Sequence, residues 1–338
     1  MPNQQISTSV QESQSLVSFI ITYYNQPIQM LQECIDSILN LSLRSYEREI
    51  LVVDDGSDVS PINELVSQNE DIIYLRQKNS GLSAARNKGI DVATGRYLQF
   101  VDADDRLIPA SYELCLDIIR YHEHADMVMF NFSTIPQVET IPETVIPVMG
   151  SAYMRNHNIH GSACGYLFRK SILGELRFTP CIFHEDEEFT PQLLLRADSV
   201  YPTHHKAYFY FQHKGTITSK QDAVSVNRRL DDQMGVLLRL QALCDKMPHQ
   251  DKMALERRIA QLTMDYIYNT IMMTRKQEAL EHQIQQLYAH GLFPLPDEHY
   301  STKYTWFRHM TNSQLGRSIL LHTLPLLKKD EDTAHRGI

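Results

Sequence analysis

The sequence predicts an α/β fold, a Rossmann-like and mostly parallel sheet flanked by helices, with a helical region at its C-terminal end. Short β-rich apolar runs alternate with helix-period segments over the first two-thirds of the chain, and several of those runs end in acidic or hydroxyl residues. From residue 223 onward only helical periodicity remains. A strand apolar on successive residues is one covered on both faces, and parallel strands of that kind are joined by right-handed helical crossovers. Ligands of such sheets collect outside the carboxyl ends of the strands, so residues at those ends are the first candidates for function.

Leu16-Val17-Ser18-Phe19-Ile20-Ile21-Thr22 is the first strand, followed by a turn at Tyr23, Tyr24 and Asn25. Pro27 opens a helix whose Ile28, Leu31, Ile35, Ile38 and Leu39 recur at helical spacing. Glu49 to Val53 is the next strand and runs into Asp54-Asp55-Gly56-Ser57. Residues 61–68 predict a helix and residues 72–76 a third strand. Tyr97 to Val101 forms a strand that ends in Asp102-Ala103-Asp104-Asp105. Pro109 starts a helix with Leu114, Ile118 and Ile119 as its expected buried face, and Met127 to Phe132 is a strand. Pro136, Pro142 and Pro147 mark residues 133–150 as irregular. Residues 166–170 and 207–211 read as further strands.

The 338 residues, 43% of them hydrophobic, can fill a sizeable core. A formal charge of -9 and a pI near 5.9 exclude a general nucleic-acid binder, because phosphate backbones select basic surfaces. Five cysteines, at 34, 115, 164, 181 and 244, include no C-x-x-C pair. They suggest neither a disulfide framework nor a zinc knuckle, and they suit a reducing cytosol. Residues 1–15 lack the basic start and apolar run of a signal peptide and read as a polar tail. No apolar run reaches the ~18 residues of a membrane span, so membrane association is expected to be peripheral at most.

Three carboxylates within Asp102 to Asp105 repel one another, and a bound cation relieves that repulsion. Mg2+ and Mn2+ prefer oxygen ligands and keep positions open for substrate phosphates, which a D-x-D turn complements. The alternative is an acidic surface turn before a helix, since Asp also caps helices. Asn79 to Ile90 predicts a turn at Ser80-Gly81 and a helix from about Leu82 that presents backbone N–H groups, Ser83, Arg86 and Lys88. Such a helix start can meet a diphosphate, and an ordinary helix with solvated Arg and Lys accounts for the same pattern. The segment matches neither G-x-G-x-x-G nor G-x-x-x-x-G-K-[ST], so the dehydrogenase and P-loop readings lose their main support.

Taken in order, Ile20 to Asn25, Val52 to Ser57, Asn79-Ser80-Gly81 with Ala85 to Gly89, and Phe100 to Asp105 closely resemble the motifs of the family 2 glycosyltransferases of the GT-A fold. The resemblance implies an inverting enzyme with a nucleotide-sugar donor. It places Asp54 and Asp55 at the nucleotide base, Arg86 near the diphosphate, and Thr22 and Tyr24 beside the donor. Asp102 and Asp104 would hold the donor with a Mn2+ or Mg2+ ion. Thr22 stands where members commonly carry proline. Phe183 to Phe189 contains four adjacent acids, which by themselves read as the solvated start of a helix. The family carries its general base here, and the match falls on Asp186, with Glu185, Glu187 and Glu188 expected to serve mainly as helix-start charges. Gln212 to Thr218 resembles a later motif in which a His approaches the metal, making His213 a further metal candidate; an ordinary strand-end histidine fits equally.

On this reading residues 1–15 are a tail, 16–222 a GT-A glycosyltransferase domain and 223–338 a helical region. The Q-x-x-R-W motif of processive members is missing, which favours addition of one or a few sugars. Family frequency favours a UDP-sugar donor and a glycan or lipid-linked glycan acceptor in bacterial surface polysaccharide synthesis. Two alternatives are a nucleotidyltransferase that makes the activated sugar and a noncatalytic sugar-nucleotide-binding protein. The first usually begins with a glycine-rich segment bearing Arg and Lys, which is not seen; the intact acids count against the second. His157 and His160 are expected as a surface pair on one helix face. Trp306 to Met310 and the basic, leucine-rich Arg317 to Lys329 fit a lipid surface, helix packing or a homo-oligomer contact equally.

Overall fold

The structure, a computed structural model, describes residues 14–66, 72–212 and 222–334, with side chains described as far as Leu327. Four strands, β1 (Val17–Tyr23), β2 (Arg48–Asp54), β3 (Ile72–Arg76) and β4 (Tyr97–Asp102), run parallel in the order β3-β2-β1-β4. Their register pairs Thr22 with Val53 on one side and Asp102 on the other, and Tyr23 with Asp54. The candidate residues at three strand ends therefore meet along one edge. Between these strands lie α1 (Ile28–Leu39), α2 (Ile62–Val66) and α3 (Leu82–Val92). Phe19, Ile20, Ile21 and Ile50 to Val53 are fully buried, as strands covered on both faces require.

The chain continues through β5 (Arg106–Leu107), α4 (Pro109–Tyr121), β6 (Met127–Ser133), α5 (Gly150–Asn156), β7 (Tyr166–Arg169), α6 (Glu185–Leu194) and β8 (Val200–Phe209). The eight strands form one sheet in the order β3-β2-β1-β4-β7-β6-β8-β5. Strand β7 is antiparallel to both β4 and β6, and β8 is parallel to β6, so the second half of the sheet is mixed. The buried face of α4 is Tyr112, Cys115, Leu116 and Ile119; Ile119 is buried as expected, while Leu114 and Ile118 are half-buried and the register centres on Tyr112 and Cys115 instead. The Tyr112 ring sets that register by packing between Phe19, at 6.1 Å, and Phe130, at 5.7 Å. Helix α5 ends at Asn156, so His157 and His160 do not share a helix face; His157 stacks on Tyr153 and His160 lies beside Phe132.

Five helices complete the chain: α7 (Ala223–Cys244), α8 (His249–Thr274), α9 (Gln277–Ala289), α10 (Thr302–Thr311) and α11 (Gln314–Ala334). Asp222 caps α7 by accepting from the Ser225 N–H at 2.9 Å, and Ser301 caps α10 through Tyr304 at 3.1 Å. Helix α8 packs against α5 and α7, and α7 against α6, which joins this region to the sheet domain. Arg317 is not a surface cation. Its side chain is 11% exposed and makes two bonds to Glu281, at 2.6 and 2.9 Å, so α11 turns this end inward and presents less basic charge to a lipid surface than its sequence suggests. Among the described residues no helix is long and apolar enough to cross a membrane.

Helix α3 approaches β1 at Gly89, where a Cβ would overlap the side chain of Ile20. Gly89→Ala is expected to lower the unfolding free energy by about 1–3 kcal/mol, the range for an overpacked core contact, as read from the midpoint of urea unfolding. An unchanged midpoint would show that α3 can slide away from the sheet.

Candidate active site

Each acidic strand end is held differently. Asp54 is fully buried; its Oδ1 accepts from the Ser57 N–H at 2.8 Å and its Oδ2 from the Tyr74 hydroxyl at 2.7 Å. Asp55 Oδ1 accepts from Gln77 Nε2 at 2.8 Å and the Ser80 N–H at 2.9 Å, while Oδ2 accepts from the Gly81 N–H at 2.8 Å. The pair thus shapes the turn that leads into α3, as well as lying where a nucleotide base was expected. Gly56 at φ 79 lets β2 turn there, because a side chain would strike the Asn79 backbone. Asn25, at φ 52, ties the β1 turn to the same loop through Asp58 and Ser57. Thr22 is half-buried beside Asp102, and Tyr24 is exposed.

At the end of β4 the acids divide their roles. Asp105 is buried, accepting from the Tyr208 hydroxyl at 2.9 Å and the Phe211 N–H at 2.8 Å. Burial and the neighbouring Asp102 push its carboxyl up to about 8. The Tyr208 hydroxyl also accepts from the Asp102 N–H at 3.1 Å, so one tyrosine of β8 fixes the whole turn. Asp102 and Asp104 remain half-exposed. Gln26 reaches Asp104 Oδ2 at 3.4 Å, and Asp104 borders a cavity of about 240 Å³ shared with Pro27, Met30, Glu33 and Arg106.

Arg86 binds these strand ends to α6. Its side chain, only 4% exposed, donates to Asp102 Oδ1 at 3.2 Å and to Glu185 Oε1 at 2.8 Å. The guanidinium lies over the rings of Phe178, at 5.3 Å, and Phe100, at 5.9 Å, and its Nε has no hydrogen-bond partner. Burial works against the charge, but Asp102, Glu185 and Asp186 outweigh it and hold the pKa above the ordinary arginine value. The next residue, Asn87, exchanges two hydrogen bonds with the Phe178 backbone, at 2.8 and 2.9 Å. Ser83 is buried and Lys88 points to solvent, so of the three side chains expected along α3 only Arg86 enters the site.

Helix α6 (Glu185–Leu194) follows His184, which lies in the left-handed region at φ 65 and makes no side-chain cap bond. Its three glutamates are not free helix-start charges. Glu185 pairs with Arg86, Glu187 with Arg258 of α8, and Glu188 with Arg239 of α7 through two bonds of 2.8 and 2.9 Å. Asp186 alone has no arginine or lysine bonded to it among the described residues; its Oδ1 accepts from the Glu187 N–H at 2.9 Å. Burial first, then the charges of Glu185 and Asp102, raise its pKa against the opposing pull of Arg86. Neither helical-region arginine was foreseen, although Arg258 sits on the apolar stripe of Leu255, Ile259 and Leu262, where a charged residue signals a buried partner.

Among the described residues no three of His, Cys, Asp and Glu converge into a closed metal cage. Asp102 and Asp104 instead offer half-exposed carboxylate oxygens on one turn, a donor set that fits Mg2+ or Mn2+ completed by substrate phosphates and water. His213 and the rest of its motif through Thr218 lie outside the described residues.

Arg86→Met tests the bridge. With Glu185 left buried and uncompensated, the free protein is expected to lose at least ~3 kcal/mol of stability in denaturant unfolding. An Arg86 that acted only on donor phosphate would leave the stability of the free protein unchanged.

Residues 18–176 match the family model Glycosyl transferase family 2. Among curated proteins, the glycosyltransferase GlyA of Streptococcus pneumoniae is 28% identical over 60% of this chain and 31% of its own length. The uncharacterized glycosyltransferase EpsJ of Bacillus subtilis is 30% identical over 60% of this chain and 63% of its own. The chain therefore spans about a third of the first of these relatives and under two-thirds of the second. Among solved structures, S. aureus TarS 1-349 in complex with UDP-GlcNAc has a TM-score of 0.65 at 18% identity, covering 94% of this chain and 92% of that one. The mannosyltransferase PcManGT from Pyrobaculum calidifontis, in complex with GDP-Man and Mn2+, has a TM-score of 0.55 at 14% identity, covering 91% and 87%. These likenesses concern the fold, and the first extends through most of the helical region. The sheet domain of this chain has the GT-A fold, and its residues 18–176 are similar to the family 2 glycosyltransferases.

Proposed function

We propose that the chain is an inverting glycosyltransferase that moves a sugar from a nucleotide-sugar donor, a UDP-sugar first among the candidates, to a hydroxyl of a glycan or lipid-linked glycan in bacterial surface polysaccharide synthesis. The observation that carries the assignment of its base is the lone position of Asp186 in the acidic turn. Three of four consecutive acids hold arginines, and the fourth keeps a raised pKa. A carboxylate whose pKa is raised toward neutrality is suited to accept a proton from a sugar hydroxyl. TarS, solved with UDP-GlcNAc, and PcManGT, solved with GDP-Man, support a nucleotide-sugar donor.

On this reading Asp186 takes the proton of the acceptor hydroxyl as its oxygen bonds the anomeric carbon and the bond to the diphosphate breaks. The nucleoside diphosphate leaves from the opposite face, which inverts the centre. Asp102 and Asp104 would hold a divalent cation, which when bound supplies positive charge to the departing diphosphate. Asp54, Asp55, Thr22 and Tyr24 line the nucleotide end, and Arg86 keeps Asp102 and the start of α6 in fixed relation. His213 completes the metal set in the reading by resemblance. Five free cysteines suit a reducing cytoplasm, and Trp306 to Met310 with Arg317 to Lys329 suit peripheral membrane contact or a homo-oligomer contact.

A calorimetric screen over UDP-, GDP- and dTDP-sugars is expected to select a UDP-sugar, and preference for a GDP-sugar would overturn that choice. Asp104→Ala should weaken Mn2+-dependent donor binding, because an anionic oxygen is lost from a site otherwise completed by phosphate and water. Unchanged metal dependence in calorimetry would count against the assignment.

Asp186→Asn keeps the shape of the side chain but cannot accept the proton, so transfer should fall by about 10²-fold or more with donor affinity nearly constant. In the native protein the rate should rise with pH through the raised pKa of Asp186, since the protonated form cannot serve as base. A stopped assay across pH measures both. Near-native transfer by the amide variant would remove Asp186 from the mechanism.

A further inference from the structure

Arg258 stands on the inner face of α8 between Leu255 and Ile259, with its side chain 2% exposed. Its guanidinium donates to the Ile159 carbonyl at 2.8 Å and to the carboxylate of Glu187. One buried cation thus joins α8, the loop before β7 and the first turn of α6. Gly161 lies against the same pair, and a Cβ there would overlap the Glu187 carboxylate and crowd Arg258, so the loop is shaped around this ion pair. The neighbouring tie is of another kind: Arg239, which holds Glu188, is 41% exposed and behaves as a surface contact.

The backbone adds a second observation. Glu187 directly follows Asp186, and the Glu187 N–H donates to Asp186 Oδ1 at 2.9 Å. Since α6 begins at a left-handed His184 that offers no side-chain cap, its first turn is held from outside, by Arg86 at Glu185 and by Arg258 at Glu187, the residue whose N–H makes this bond. The Glu187 side chain, locked by Arg258, holds the peptide that orients the Asp186 carboxylate.

We propose that Arg258 is a positioning residue for Asp186: acting through Glu187, it fixes the first turn of α6, so that the helical region sets the place of the base. This rests on the reading of Asp186 as the base. The arrangement gives α8 a role in catalysis without contact to substrate, and explains why a charged side chain is buried on its packing face.

The test uses the full-length protein with UDP-GlcNAc as the probe donor, UDP release as the rate and hydrogen exchange of the α6 amides as the structural readout. Because Arg258→Met alone leaves the half-buried Glu187 carboxylate without its cation and changes the fold's charge balance, the main variant is Glu187→Gln with Arg258→Met, which removes both charges. Exchange at residues 185–188 should rise while the later amides of α6 stay protected. The kcat should fall roughly tenfold to a hundredfold, the scale on which a small misplacement acts, with the KM for donor unchanged. Arg258→Lys should recover part of that loss, and Glu188→Gln with Arg239→Met should stay within about twofold of native kcat. Native exchange or native kcat in the main variant overturns the proposal, and so do equal losses in the two double variants. Asp186→Asn, run alongside, separates the two readings: if it turns over freely the base assignment fails, whereas an inactive amide beside a full-rate double variant refutes only the part given to Arg258.

Discussion

The site depends on one buried guanidinium. Arg86, from the middle of α3, bonds both the carboxyl end of β4 and the start of α6. Taking such a cation out of water is expensive, and two carboxylates and two aromatic faces offset the penalty only if their geometry is held. The holding is visible around it. Phe178 stacks on Phe189 at 3.8 Å, Asn87 fixes the backbone of Phe178, and the Phe100 ring stands edge-on to Phe178 at 5.4 Å. An aromatic floor under a charged bridge lets residues about a hundred positions apart in sequence keep one spacing, which is what a base and a donor site require of each other.

Much of this architecture is legible in the sequence because it follows from local pattern. The runs at Leu16 to Thr22, Glu49 to Val53 and Tyr97 to Val101 are unbroken enough to demand a doubly covered sheet, and each forms a strand. Acids at the ends of β2 and β4, the two strands that flank β1, mark one edge of that sheet. What periodicity cannot state is which cation meets which acid. The four acids from Glu185 look alike in sequence, yet three of them are distinguished by Arg86, Arg239 and Arg258, which come from three different helices. The α4 face differs in part for a related reason: Ile119 is buried as its spacing implies, but Tyr112, rather than Leu114, packs between Phe19 and Phe130. Arg317 shows the same limit in reverse, since a basic residue in a leucine-rich segment reads as surface charge until Glu281 is found beside it.

The carboxylates themselves can be sorted by what neutralises them, and the sorting separates structure from chemistry. Asp54 is answered by the Ser57 N–H, the Tyr74 hydroxyl and, at 3.6 Å, Arg76; Asp55 by Gln77 and the Ser80 and Gly81 N–H groups; and Asp105 by Tyr208 and the Phe211 N–H. Groups so completely served stabilise turns, and a buried acid without such donors would destabilise the fold. The three glutamates of α6 are answered by full positive charges and bind elements together. Asp102, Asp104 and Asp186 stand apart by exposure or by pKa, with Asp102 sharing Arg86 with Glu185. The first two keep solvent-facing oxygen on a turn braced from behind by Tyr208, and the third keeps a raised pKa amid partners that each belong to another residue. A fold of net charge -9 has many carboxylates to place. That Asp102 and Asp186 gather around a single arginine bridge, at the strand ends where this class of sheet receives its ligands, is the physical reason to look for the chemistry there.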